Sequence, residues 1–308
     1  MGISSGLRWV AATASRVRTR IPKFLQPAAE QAGIAGFAAF GRLPNGPGYH
    51  AYRARLIRQM LSDDALLDRM RGDAPLPSGY GIGVDERCIE YPWALLHLRG
   101  RQGRLLDAGS VFNNEMIVTH PIVAAHDLHI LTLAPESECF WFRGISYLFG
   151  DLRDNPARDG FYDSVVCIST LEHVGCDNSN YSGRWADREE RPDDYKQAMR
   201  EVARVLRPGG TLLLTIPFGQ RVHHGWLQIF DEEMVADVLA AFGPAAEREV
   251  RYFRYTAAGW NPATAAACAD ATYTRWMALG SNHPFWPNRE PDDAAAARAV
   301  ACIRLVKA

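Results

Sequence analysis

The chain has 308 residues, 47% hydrophobic and 22% charged, with a net charge of −1 at pH 7. That balance is ordinary for a soluble globular protein and leaves no global basic field for nucleic acid. No apolar run approaches the roughly 20 residues that span a bilayer. Six cysteines (Cys88, Cys139, Cys167, Cys176, Cys268 and Cys302) are nowhere spaced as CxxC, so no zinc or other metal site is expected, and a reduced cytoplasm fits best.

Residues 1–25 carry Arg8, Arg16, Arg18, Arg20 and Lys23 and no acid, with Leu7, Trp9, Val17 and Ile21 between them. One reading is a basic amphipathic helix touching the inner face of an anionic membrane. The other is a solvated leader, which the thin apolar face favours. No apolar core followed by a small-residue cleavage site marks a secretory signal. Residues 26–48 are rich in Ala, Gly and Pro and read as a linker with turns. Residues 49–70 have helical spacing at Tyr52, Leu56, Met60, Leu66, Leu67 and Met70. "DERCIEYPWALLHL" predicts a further helix, a lid that brings Glu90, Tyr91 and Trp93 near a site.

From Arg104 strands and helices alternate. "RLLDAG", "DLHILTLA", "ISYLFGD", "DSVVCIST" and "TLLLTIPFG" are strands, the fourth a continuous apolar run typical of a central parallel strand. "PDDYKQAMREVARVLR" is an amphipathic helix, capped by Asp193 or Asp194 and ended by Pro208–Gly210. "DEEMVADVLAAFG" is another, capped by Asp231. "EREVRYFRY" and "AVACIRLVKA" are the best later strands. This alternation predicts a doubly wound, mostly parallel α/β sheet with an N-terminal helical extension. The expected organisation is a leader and linker at 1–48, a helical extension or lid at 49–100, and an α/β domain at 101–308. Ligands in such sheets bind beyond the carboxyl ends of the strands.

Those strand ends carry a resemblance. "LLDAGS", "GDLR", "FYDSVVCISTLEHVG" and "EVARVLRPGGTLLLTIPFG", in this order, resemble the class I S-adenosylmethionine-dependent methyltransferases over about residues 100–220. "TLAPE" (Thr132–Glu136), "ISYLFGDLR" (Ile145–Arg153), "ISTLEHVGCDN" (Ile168–Asn178) and "PFGQRVHHGWLQIFD" (Pro217–Asp231) resemble more closely a branch found among bacterial surface-polysaccharide genes. The resemblance implies a seven-stranded Rossmann-like methyltransferase sheet and S-adenosyl-L-methionine as cofactor. It implies that Asp107, Gly109 and Ser110 form the cofactor turn after the first strand. Val111 and Asn113 stand where further glycines are often found, and Asn tolerates the left-handed region. The usual ribose-binding acid is replaced by Ala134, so Glu136 is the nearest substitute. Asp151 would face the adenine, and Ser169 the sulfonium.

An alcohol acceptor must lose a proton, and a histidine near neutral pKa is a suitable base. His173, His223 and His224 follow strands four and five at the acceptor rim; His173 also reads as a residue that holds its turn. Polar and aromatic inserts at 176–194 and 252–290 fall on the substrate side, the longer loops being functional or disordered as a rule. The absence of GxGxxG argues against a dinucleotide. The leading expectation is O-methylation of a sugar or surface-glycan precursor in the cytoplasm. The alternative is a non-catalytic protein of this fold that serves as a binding or assembly partner, as the reduced glycine loop and missing acid would suit.

Overall fold

The computed structural model describes residues 25–274 and 289–308. The basic segment at 1–24 and residues 275–288 of the second insert lie outside the described residues. Among the described residues no helix is long and apolar enough to cross a membrane.

Strands β1 (Gly103–Ala108), β2 (His126–Thr132), β3 (Ser146–Phe149), β4 (Tyr162–Ile168) and β5 (Leu206–Pro217) pair in parallel. A two-stranded hairpin, β6 (Val222–His223) and β7 (Gln228–Ile229), lies apart from the main sheet. β8 (Ala245–Thr256), β9 (Gly259–Ala263) and β10 (Ala299–Lys307) complete an eight-stranded sheet ordered β3-β2-β1-β4-β5-β10-β8-β9. β10 runs antiparallel to both β5 and β8, so β8 is parallel to the first five strands. The expected doubly wound, mostly parallel sheet is what forms, with one strand more than seven. The extra strand is β9, which falls in the segment 252–290 expected as a substrate-side insert; at a sheet edge its Pro262 is tolerated.

Alternation along the strands divides two cores. Val166, Ile168 and Leu213 face one, where the Arg87–Leu98 helix packs Ile89, Trp93 and Leu96. Val165, Cys167 and Leu214 face the other, covered by the Tyr195–Val205 and Glu232–Phe242 helices. The Arg87–Leu98 helix is therefore part of the core, not a lid. Pro92 sits inside it and removes the bond to the Cys88 carbonyl four residues back. Tyr80 supplies the missing donor: its hydroxyl bonds that carbonyl at 2.6 Å.

Other local expectations are corrected. Gln26–Ala39, expected as linker, is a helix. The 49–70 helix is two, Tyr49–Leu61 and Asp64–Arg69, because Asp63 accepts from Leu66 N and starts a new turn. The Tyr195–Val205 helix ends before Leu206, and "LRPGG" already belongs to β5. Asp194 stands at that helix's N-cap but makes no capping bond, its carboxylate being paired with Arg153 and Arg191. Asp231 does cap the Glu232–Phe242 helix, accepting from Met234 N at 2.9 Å.

Candidate cofactor and acceptor site

The strand order reverses between β1 and β4, and open α/β sheets bind ligands at that crevice. A cavity of about 590 Å³ opens there, lined by the turns after β1 to β4 and by the first insert. Such a volume is that of a cofactor-sized pocket.

After β1 the chain turns at Gly109, with φ of 121°, and Ser110, with φ of 62°. Ser169, after β4, also has positive φ, 44°. Non-glycine residues in this region cost about 1–2 kcal/mol each and tend to mark functional turns. A Cβ on Gly109 would lie 2.0 Å from Thr170 Oγ1, so the glycine is what lets the ends of β1 and β4 approach. Asn113, expected as a left-handed substitute for glycine, is not among the positive-φ residues. Its amide instead donates to Glu136 Oε2 at 2.9 Å and to the Glu138 carbonyl, and its oxygen accepts from Tyr147 Oη at 2.8 Å. Asn114 caps the next short helix through Ile117 N.

Asp107 does not line the cavity. It is fully buried, and its Oδ2 accepts from Phe112 N at 2.8 Å, fixing the turn from below. Burial pushes its carboxyl up to about 8, against the pull of the Phe112 N–H. Gly109, Ser110, Glu136, Asp151, Ser169 and His173 all line the cavity.

Glu136, two residues beyond the expected position, is turned back to the β2 end by three donors. Ser110 Oγ and Thr132 Oγ1 bond its Oε1, and Asn113 bonds its Oε2. Asp151, beyond β3, is engaged on both oxygens by Arg153. Burial pushes its pKa up, but the Arg153 bonds outweigh this and hold it below the usual carboxylate range. Arg153 also bonds Glu189 at 3.0 Å and Asp194 at 2.5 Å, so it ties the first insert to the β3 end. The 176–194 insert thus walls the cavity, bringing Tyr181 and Asp187 to it.

His173 ends the short Leu171–His173 turn. Its Nδ1 bonds the Trp226 carbonyl at 2.7 Å, and a carbonyl only accepts, so Nδ1 carries the proton. Nε2 is then the lone-pair nitrogen. It is not sealed in without a partner, as the Nε2 atoms of His97, His126 and His224 are, and the ring lines the cavity. Burial pushes this imidazole down to about 4. Glu172 Oε1 lies 4.0 Å from Nε2.

The structure separates the three histidines. His223 is exposed in the β6–β7 hairpin with Nε2 3.5 Å from Cys176 Sγ, and His224 turns Nε2 into the protein; neither lines the cavity. Sequence reasoning missed Arg153 and Arg87 as wall residues. "GDLR" was a signal for the first, but its partners come from 36 and 41 residues away.

This sheet order, with an antiparallel strand inserted beside β5 and a cavity at the β1–β4 switch, defines a Rossmann-like methyltransferase fold. Residues 123–214, from the approach to β2 into β5, match the family described as a methyltransferase domain. No curated protein matches the chain. Among solved structures the chain is similar to the Burkholderia thailandensis 1,6-didemethyltoxoflavin-N1-methyltransferase bound to 1,6-didemethyltoxoflavin and S-adenosylhomocysteine. That pair is 14% identical over 70% of this chain and 76% of that one, with a TM-score of 0.40. It is also similar to Haemonchus contortus phosphoethanolamine N-methyltransferase 2, at 13% identity over 82% and 59% with a TM-score of 0.43. Bacillus subtilis YcgJ is 12% identical over 70% and 96%, with a TM-score of 0.41.

Proposed function

We propose that the chain is an S-adenosylmethionine-dependent methyltransferase that methylates a hydroxyl of a sugar or surface-glycan precursor. The observation that carries the reading is one cavity lined by Gly109, Ser110, Glu136 and His173, whose Nδ1 is committed to the Trp226 carbonyl and leaves Nε2 as the lone-pair nitrogen. The bound cofactor would supply an electrophilic methyl group on a sulfonium.

The chain's own residues do the rest. Gly109 and Ser110 give a turn that a ligand can approach closely. Glu136 is oriented toward the ribose hydroxyls by Ser110, Thr132 and Asn113, and a carboxylate has about four acceptor sites, so one stays open. Asp151, fixed by Arg153, offers a carboxylate to the adenine amino group. His173 Nε2 takes the acceptor's hydroxyl proton as the oxygen–carbon bond forms and the carbon–sulfur bond breaks. Exposed Phe149, Tyr181 and Trp185 give aromatic faces on which a sugar ring can stack.

Glu136→Ala is expected to weaken cofactor binding by about 1.5–3 kcal/mol, the value of hydrogen bonds to a charged group. Unchanged affinity would place the ribose on another residue. The activity is tested with cofactor carrying a labelled methyl group and a panel of monosaccharides and nucleotide sugars. Label in an alkali-stable ether is the expected product. Label only in an alkali-labile ester would replace the hydroxyl by a carboxylate as acceptor.

A further inference from the structure

We infer that the acceptor carries an oxyanion, a carboxylate or a phosphate, and that Arg87 is the residue that recognises it. This rests on the methyltransferase reading of the cavity and adds the charge class of the acceptor.

Arg87 opens the Arg87–Leu98 helix and lines the cavity. One guanidinium nitrogen bonds Glu90, which is wholly buried. The other oxygen of Glu90 accepts from Thr215 Oγ1 of β5 at 2.6 Å. That chain from β5 through Glu90 fixes the guanidinium plane. Glu90 is its one carboxylate partner among the described residues. Arg87 bonds Glu90 through one of the five donors of its fork, its side chain keeps 19% exposure while that of Glu90 has none, and it lines the cavity.

The other charges on the wall are matched to one another. Arg153 holds Asp151 and Glu189, and Arg184 bonds Asp187 through two nitrogens at 2.8 and 3.0 Å. Glu136 is held by hydroxyl and amide donors. Arg87 is the wall arginine whose carboxylate partner is wholly buried behind it. The acids around it are Asp85, Glu86, Glu90 and Glu172. Asp85 is taken by Arg53 at 2.6 Å. Burial pushes Glu86 up to about 7 and Glu172 to about 8, which weakens their hold on the guanidinium. The charge of Arg87 reaches both His173 and Tyr181. An oxyanion on this fork therefore sets the acceptor beside His173 Nε2. A planar fork suits carboxylate and phosphate, where a lysine would give a point charge only.

The test is calorimetry on the full chain with D-glucuronate, D-glucose and inorganic phosphate, each with and without S-adenosylhomocysteine. Glucuronate or phosphate is expected to bind where glucose does not, and to bind at least tenfold more weakly in Arg87→Lys, which keeps a charge opposite Glu90. Glucuronate alone assigns a carboxylate; phosphate alone assigns a phosphorylated acceptor. A double variant, Arg87→Met with Glu90→Met, removes both charges and should lose the anion while still unfolding cooperatively. Failure of S-adenosylhomocysteine to bind would count against the cofactor reading only, because the anion titrations are read without it too. Equal binding of glucose and glucuronate, no binding of either anion, or affinity unchanged in Arg87→Lys overturns the assignment.

Discussion

Gly109→Val is expected to abolish measurable binding of S-adenosylmethionine in a chain that still unfolds cooperatively. The added Cβ would lie 2.0 Å from Thr170 Oγ1 and 2.6 Å from Thr170 Cβ, far inside contact distance. Thr170 cannot simply swing aside, since its hydroxyl donates to the Ile168 carbonyl at 2.9 Å and its backbone leads from β4 into the Leu171–His173 turn. The φ of 121° is also closed to a β-branched residue. Relief must come from moving the two strand ends apart, and both line the cavity. The two cores on the sheet faces reach that turn only through Ala108, Phe112 and Leu171. Strain of about 1–3 kcal/mol is small against the 5–15 kcal/mol typical of a domain. Thermal unfolding and a titration on the same sample check the two halves; unchanged affinity would remove the β1 turn from the site.

The second large effect concerns His173. His173→Asn should lower turnover by about 10²–10⁴-fold, as loss of a general base does. Asn is the informative replacement because its amide can still donate to the Trp226 carbonyl, so the turn keeps its tether and only the Nε2 lone pair goes. His223→Asn and His224→Asn should leave turnover within about twofold, since neither ring lines the cavity and surface changes are usually small. The pH profile has a definite sign. A base works when unprotonated, and burial pushes His173 down to about 4. Wild-type turnover should therefore be flat between pH 6 and about 8 and fall only as pH drops toward that value. Full turnover in His173→Asn would leave catalysis to alignment alone.

Much of this site is written in single strands and turns, and that part is legible in sequence. The apolar run at Val165–Ile168 marks a central strand because both of its faces are buried. Gly109, Ser110, Asp151, Ser169 and His173 follow from knowing where strands end. What sequence cannot separate is which way a strand-end side chain faces. Asp107 and Glu136 are both acids near a strand end, yet the first is sealed beneath the turn and the second is held on the wall. His173 and His223 differ in the same way, one on a turn after β4 and the other in a separate hairpin. The role of Arg87 is illegible for another reason. It precedes the α/β domain, and its fixing group, Thr215, reaches it through Glu90, 125 residues earlier in the chain.

The central claim is that the cavity at the β1–β4 switch takes S-adenosylmethionine. It is tested most directly by titrating S-adenosylhomocysteine into the full chain in a calorimeter. Saturable binding of one equivalent, displaced by S-adenosylmethionine and lost in Gly109→Val, is the predicted result. No saturable heat from either compound, in a sample shown to be folded by its thermal transition, would contradict the claim.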